Sequence, residues 1–137
     1  MAAIALTSPF NMKAATLEID VDDYSAALSE VRFNPSFTTS TFTAINGSVT
    51  QDVSKATWTA TLTGAQDLAP TGLLRYLLAH QGEVKDVTFT PKADGPAVEA
   101  TIILAPGAIG GAAGADLATF SVTLPLNGEP EFIDPTP

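Results

Sequence analysis

Period two dominates the order of apolar and polar positions along this chain. Leu17, Ile19 and Val21 alternate with Thr16, Glu18, Asp20 and Asp22, which predicts a half-buried strand with one apolar face and one face of carboxylates. Trp58, Ala60 and Leu62 alternate with Thr57, Thr59, Thr61 and Thr63, and the β-branched threonines suit a pleated backbone. Val87 and Phe89, then Val98, Ala100, Ile102 and Leu104, then Ala118, Phe120, Val122 and Leu124 repeat the alternation. Asp94-Gly95-Pro96 makes a turn between the first two of these runs, so the second half reads as a β-meander. One segment departs from the rule. From Pro70 to Gln81, Leu73, Leu74, Leu77 and Leu78 return at helical spacing, with Pro70 suited to a first turn and Gly82 to the position just past a helix end. The predicted core is Leu17, Ile19, Trp58, Leu62, Leu73, Leu77, Phe89, Ile102, Phe120 and Val122. Strands, one helix, then strands fit an antiparallel β-sandwich or incomplete barrel flanked by a single helix over 70–81.

Between Phe33 and Lys55 the chain is rich in threonine and serine and carries the turn dipeptide Asn46-Gly47. It reads as a hairpin over 34–55 that projects from the domain. An isolated two-stranded ribbon with apolar groups in water is marginal and prone to pairing. Phe37 and Phe42 therefore either pack on the chain's own core or are covered by a protein partner.

Length and composition narrow the function. At 137 residues the chain is one domain with a single core. Fifteen acidic against six basic side chains give a formal net charge of −9, which disfavours adhesion to phosphate backbones or anionic lipid. Charged residues are only 15% and hydrophobic ones 45%, too apolar for disorder, and so low a charge content suggests surfaces meant for burial against partners. No apolar run approaches a membrane span, and Met1 to Asn11 lacks the basic n-region and h-region of a secretory signal, so a soluble chain is expected.

Candidate chemistry is sparse. Without cysteine there is no thiol nucleophile or cysteine metal site, and the single histidine, His80, cannot make a multi-histidine site; near a helix end it reads as a cap for free carbonyls. Gly107 to Gly114, GAIGGAAG, lacks the spacing of a phosphate cradle and reads as a flexible or close-packing loop. Asp20, Asp22 and Asp23 begin like a calcium loop but lack the later glycine and bidentate glutamate. Asn46-Gly47-Ser48 is better explained as a turn than as a glycosylation acceptor. Neither an enzyme, a cofactor nor a metal is indicated.

The segments KATWTATL (Lys55 to Leu62), PTGLLRYLLAHQGE, VTFTPK, GPAVEATIIL, GAIGG and ATFSVTLPLNGEPEF form a series that resembles the major tail tube subunit of long-tailed, siphovirus-like bacteriophages, a likeness that runs in order from about Leu17 to Phe132. The resemblance implies a structural virion protein of the viral tail, assembled in the bacterial cytoplasm. Hexameric rings of the chain would stack into a tube for the passage of DNA into the host. It further implies that one sheet of each copy joins its neighbours' to make an inner barrel, while the hairpin at 34–55 and the arms at 1–13 and 127–137 bridge rings. Candidate contacts between copies are then Phe10, Phe37, Phe42, Asn46, Gly47 and Phe132. The implied partners are further copies, a tape measure protein, a tail terminator, a distal tail protein and, transiently and without specificity, DNA; membrane binding is not implied.

An acidic lumen would let DNA slide, since it offers no lysine or arginine contacts that release counterions. Glu18, Asp20 and Asp22 are the lumen candidates, because their shared strand face is too polar for a core, followed by Glu99; the alternative is that these acids face the outer surface. The rival readings are a capsid decoration or tail-terminator protein, the related tube of contractile secretion systems, and, from another class, a monomeric carbohydrate-binding β-sandwich.

Overall fold

Ten strands and one α-helix follow one another in a computed structural model that describes residues 2–114 and 116–135. The strands are β1 (Thr16–Ile19), β2 (Asp22–Asp23), β3 (Leu28–Ser36), β4 (Thr39–Thr43), β5 (Val49–Val53) and β6 (Thr57–Ala65), then, after helix α1 (Leu73–Ala79), β7 (Val84–Thr90), β8 (Ala97–Ile103), β9 (Thr119–Pro125) and β10 (Glu131–Ile133). Met1 and residues 136–137, the extremities of the two predicted arms, lie outside the described residues.

The strands make three antiparallel sheets: a five-stranded sheet in the order β10-β8-β7-β1-β2, a three-stranded sheet β3-β6-β9, and the separate pair β4-β5. The inner faces of the two larger sheets form one core. Leu17, Ile19, Val87, Phe89, Ala100 and Ile102 come from the first and Val31, Ala60, Leu62, Phe120, Val122 and Leu124 from the second. Phe33 meets Phe89 across this layer at a ring-centroid distance of 5.9 Å. The sheets touch by ladder bonding at one corner only, where Ile102 bridges Leu126 and the Asn127 N–H donates to the Thr101 carbonyl at 2.7 Å. The barrel is therefore incomplete, and Leu73, Leu74 and Leu77 of α1 add to the same core.

Four expectations change. The helix is shorter than 70–81, because Gly72 caps its start and Pro70 lies in the preceding turn, where the Asp67 carboxylate accepts from the Ala69 N–H at 3.0 Å. Leu78 turns outward. Instead of a meander, β9 crosses to the other sheet and pairs with β6, since its apolar residues complete the face opposite β8. Trp58 is half-buried and outside the core, because it lies at the end of β6 opposite Pro35, beyond the last pair of buried residues. Finally, β1 ends at Ile19. Asp20 adopts a left-handed φ of 61°, a conformation that aspartate tolerates better than most residues, and the chain reverses there. Val21 then sits at the tip of the turn, 83% exposed.

Among the described residues no helix is long and apolar enough to cross a membrane.

Candidate functional site: assembly surfaces

Cross-strand register sorts the two outer faces by chemistry. On the five-stranded sheet Asp23 stands opposite Glu18, Glu18 opposite Thr88, Thr88 opposite Glu99, and Glu99 opposite Glu131. Directly opposed residues share a face. One rung therefore carries four exposed carboxylates across the whole sheet. The neighbouring rung holds Asp86, whose carboxylate accepts from the Thr101 hydroxyl at 3.2 Å and whose carbonyl accepts from the Asp20 N–H at 2.8 Å. At one end Ser25 donates both its hydroxyl and its backbone N–H to the Asp23 carboxylate, and these bonds hold that carboxyl below the ordinary aspartate value.

The reversal at Asp20 separates three of the lumen candidates from their presumed common face. Glu18 lies in β1, Asp20 in the turn, and Asp22 in β2 opposite buried Ile19. Glu99 does join Glu18, two strands away on the same rung. Sequence reasoning missed Asp23 and Glu131 as members, because a rung exists only once register is known.

The outer face of the three-stranded sheet is hydroxylic and nearly uncharged. Its rungs are Glu30–Thr63–Ser121, Arg32–Thr61–Thr123 and Asn34–Thr59–Pro125. Thr63 donates to Ser121 along its rung at 3.1 Å, and the Asn34 amide donates across to Thr61 of the next rung at 3.1 Å. The two charges, Glu30 and Arg32, pair with each other at 3.6 Å.

Apolar side chains cluster away from both faces. The hairpin β4-β5 extends from the β3-β6 pair and all ten of its strand residues are exposed. Phe42 is 67% exposed, Phe37, Val49 and Val53 more than half, and Ile45 at the tip fully, so Phe37 and Phe42 do not pack on the chain's own core. The tip is a tight turn. The Gly47 N–H donates to the Ala44 carbonyl at 3.0 Å with Gly47 at φ 92°, and the Ser48 N–H donates to the Asn46 side chain at 3.0 Å. Ile4, Leu6 and Phe10 in the N-terminal arm are exposed as well. Phe132 in β10 is in register with Val98 and Phe89, yet is 79% exposed, because nothing among the described residues covers that sheet edge.

The remaining sequence candidates have structural roles. The His80 Nδ1–H donates to the Glu83 carboxylate at 2.7 Å, and this bond, with Lys85 at 3.7 Å, keeps the Glu83 carboxyl below its usual range. The capping expected of His80 falls instead to Gln81, whose amide donates to the Leu78 carbonyl at 3.0 Å. The glycine-rich loop is pinned by Gln66, which donates to the Gly110 carbonyl and accepts from its N–H, each at 2.8 Å. A groove of about 720 Å³ beside α1 is lined by Asp22, Tyr24, Arg75, Tyr76 and His80. Burial raises the pKa of both tyrosines there, and the Tyr76 hydroxyl has no partner among the described residues. Among the described residues no three acidic or histidine side chains gather closely enough to hold a metal.

These features define a class by architecture: an open-edged, mainly antiparallel β-sandwich with one helix, a projecting hairpin and apolar arms. Solved structures of the same fold are assembly components. A chain of the sheath/tube terminator of the extracellular contractile injection system PVC, in its extended state, superposes with a TM-score of 0.71 at 15% identity, over 94% of this chain and 99% of that one. A chain of the extended PVC sheath-tube complex gives 0.67 at 15% identity, over 92% of each. The anti-feeding prophage cap, a tube terminating cap, gives 0.66 at 10% identity, over 97% of this chain and 96% of that one. At such identities the likeness is one of fold. No protein-family model and no curated protein matches the chain.

Proposed function

We propose that this chain is a structural subunit of the tube in a phage-tail-like particle, closing hexameric rings that stack into a conduit. The observation that carries this reading is the pairing of a tube-and-terminator fold with strand edges and apolar side chains that the chain leaves uncovered. Long uncovered edges template uncontrolled pairing unless something occupies them, and head-to-tail closure of a ring occupies them with copies of the same chain. In this reading Phe37, Phe42 and the Asn46-Gly47 tip of the hairpin reach the next ring, as do Phe10 and Phe132 from the arms. In a phage setting the cargo is DNA, and the tape measure, terminator and distal tail proteins are the other partners. The major tail subunit of long-tailed phages and the tube of a contractile particle are both versions of this role.

A second reading, the terminator or cap that ends such a tube, is favoured by the superpositions on a sheath/tube terminator and a terminating cap. Electron microscopy of the purified protein at rising concentration separates the two. Extended tubes support the subunit role, single rings that do not stack support the terminator, and discrete trimers or persistent monomers contradict both.

A further inference from the structure

Resting on the tube reading, we infer that the hydroxyl face of the three-stranded sheet lines the channel and that the acidic rung faces outward. The first argument concerns edges. The five-stranded sheet ends in β2 and β10, stubs of two and three residues. The three-stranded sheet ends in β3 and β9, of nine and seven residues, and among the described residues neither carries a backbone ladder on its outer side. Short edges are blunted against pairing and long ones are competent for it. The three-stranded sheet is thus the one that neighbouring copies continue. Both β3 and β9 run antiparallel to β6, so they run parallel to each other. Rotation about a ring axis preserves strand sense, and the junction is therefore a parallel pairing of β3 with β9 of the next copy. Pro35 and Pro125, which cannot donate to a ladder, lie at the same end of the sheet and set where that pairing stops.

Radius decides which face looks inward. Strands lie about 4.8 Å apart, so a five-stranded layer is wider than a three-stranded one, about 24 Å against about 14 Å where the stubs β2 and β10 extend it. In a closed ring of wedge-shaped copies the wider layer occupies the larger circumference, outside the narrower one. The buried face of the three-stranded sheet looks outward onto the core, leaving its hydroxyl face toward the axis. Charge agrees with this placement. The carboxylates of every copy would repel one another if crowded round a narrow pore, whereas on the outer surface they are spread and screened. The wall facing the cargo then carries hydroxyls and the Glu30–Arg32 pair, a lining that neither holds a polyanion by counterion release nor repels it.

The natural sequence has no cysteine, so single-cysteine variants report on one face each. Ser121→Cys, with Thr123→Cys as a second probe, samples the hydroxyl face, and Glu99→Cys the acidic face; all three positions are exposed in the single chain. Each is treated with a maleimide coupled to a protein too large to enter a tube, before and after assembly, with electron microscopy confirming the tubes. The expected result is equal labelling of free subunits, loss of labelling at 121 and 123 on assembly, and retention at 99. Tubes in which 99 is protected while 121 and 123 react, or in which all three behave alike, overturn the inference and leave the tube reading intact. Failure of all variants and of the natural chain to form tubes overturns the tube reading, and the inference with it.

Discussion

Gly64 marks the tightest backbone approach in the sandwich. It lies in β6 beside the bulge between Leu28 and Glu30, and a Cβ there would run into the carbonyl oxygen of Ala27. Because that obstacle is backbone, it cannot swing aside as a side chain would. Gly64→Ala should destabilise the chain by about 1–3 kcal/mol, read as a lower urea midpoint with an unchanged slope. An unshifted midpoint would contradict the register of β3 on β6. Nothing in the alternation of the sequence singles this glycine out, because the constraint comes from a segment thirty-odd residues away. The buried apolar residues were more legible: Leu17, Ile19, Leu62, Phe120 and Val122 follow from period two alone, since a residue between two polar neighbours on a strand has one face to go to. Trp58 shows where that inference stops, for period two gives the face of a residue and says nothing of its distance from the strand end.

At the scale of elements, the acidic rung opposes like charges directly, Glu18 to Asp23 and Glu99 to Glu131. Such pairs destabilise a sheet, so Glu99→Gln should raise the stability of the free chain by about 0.2–1 kcal/mol at low salt. The gain should fade as salt screens the repulsion. Thermal unfolding at low and high ionic strength tests this, and a variant less stable than the natural chain at low salt would show that Glu99 has a favourable partner instead. Strand positions were legible from the alternation, but strand ends were not. Asp20 breaks β1 through a backbone conformation that reads in sequence only as one more acidic residue, and with it fails the single carboxylate face of Glu18, Asp20 and Asp22. The partner of β9 was equally hidden, since alternation gives a strand two faces without saying which sheet it joins.

At the scale of the whole molecule, the chain's polar features are engaged within the fold while its exposed apolar ones are not. Its one histidine is tied to Glu83, its glycine-rich loop is tied to Gln66, and its exposed phenylalanines stand on a hairpin and two arms. A domain of this size gains little from holding Phe42 and Ile45 on a two-stranded ribbon in water, and the cost is offset only where another surface covers them. The hairpin was visible in sequence from its threonine-rich strands and the Asn46-Gly47 turn. The occupant of its apolar face lies beyond any single chain, because assembly is a property of several copies. Whether copies of this chain complete one another therefore decides its role.

Cryo-electron microscopy of assemblies grown from the purified chain tests that claim most directly. The density should show closed rings in which β3 of every copy lies beside β9 of the next, with hairpin tips seated in the adjoining ring. Rings joined through the stubs β2 and β10, or particles in which each copy keeps both long edges in solvent, would contradict it.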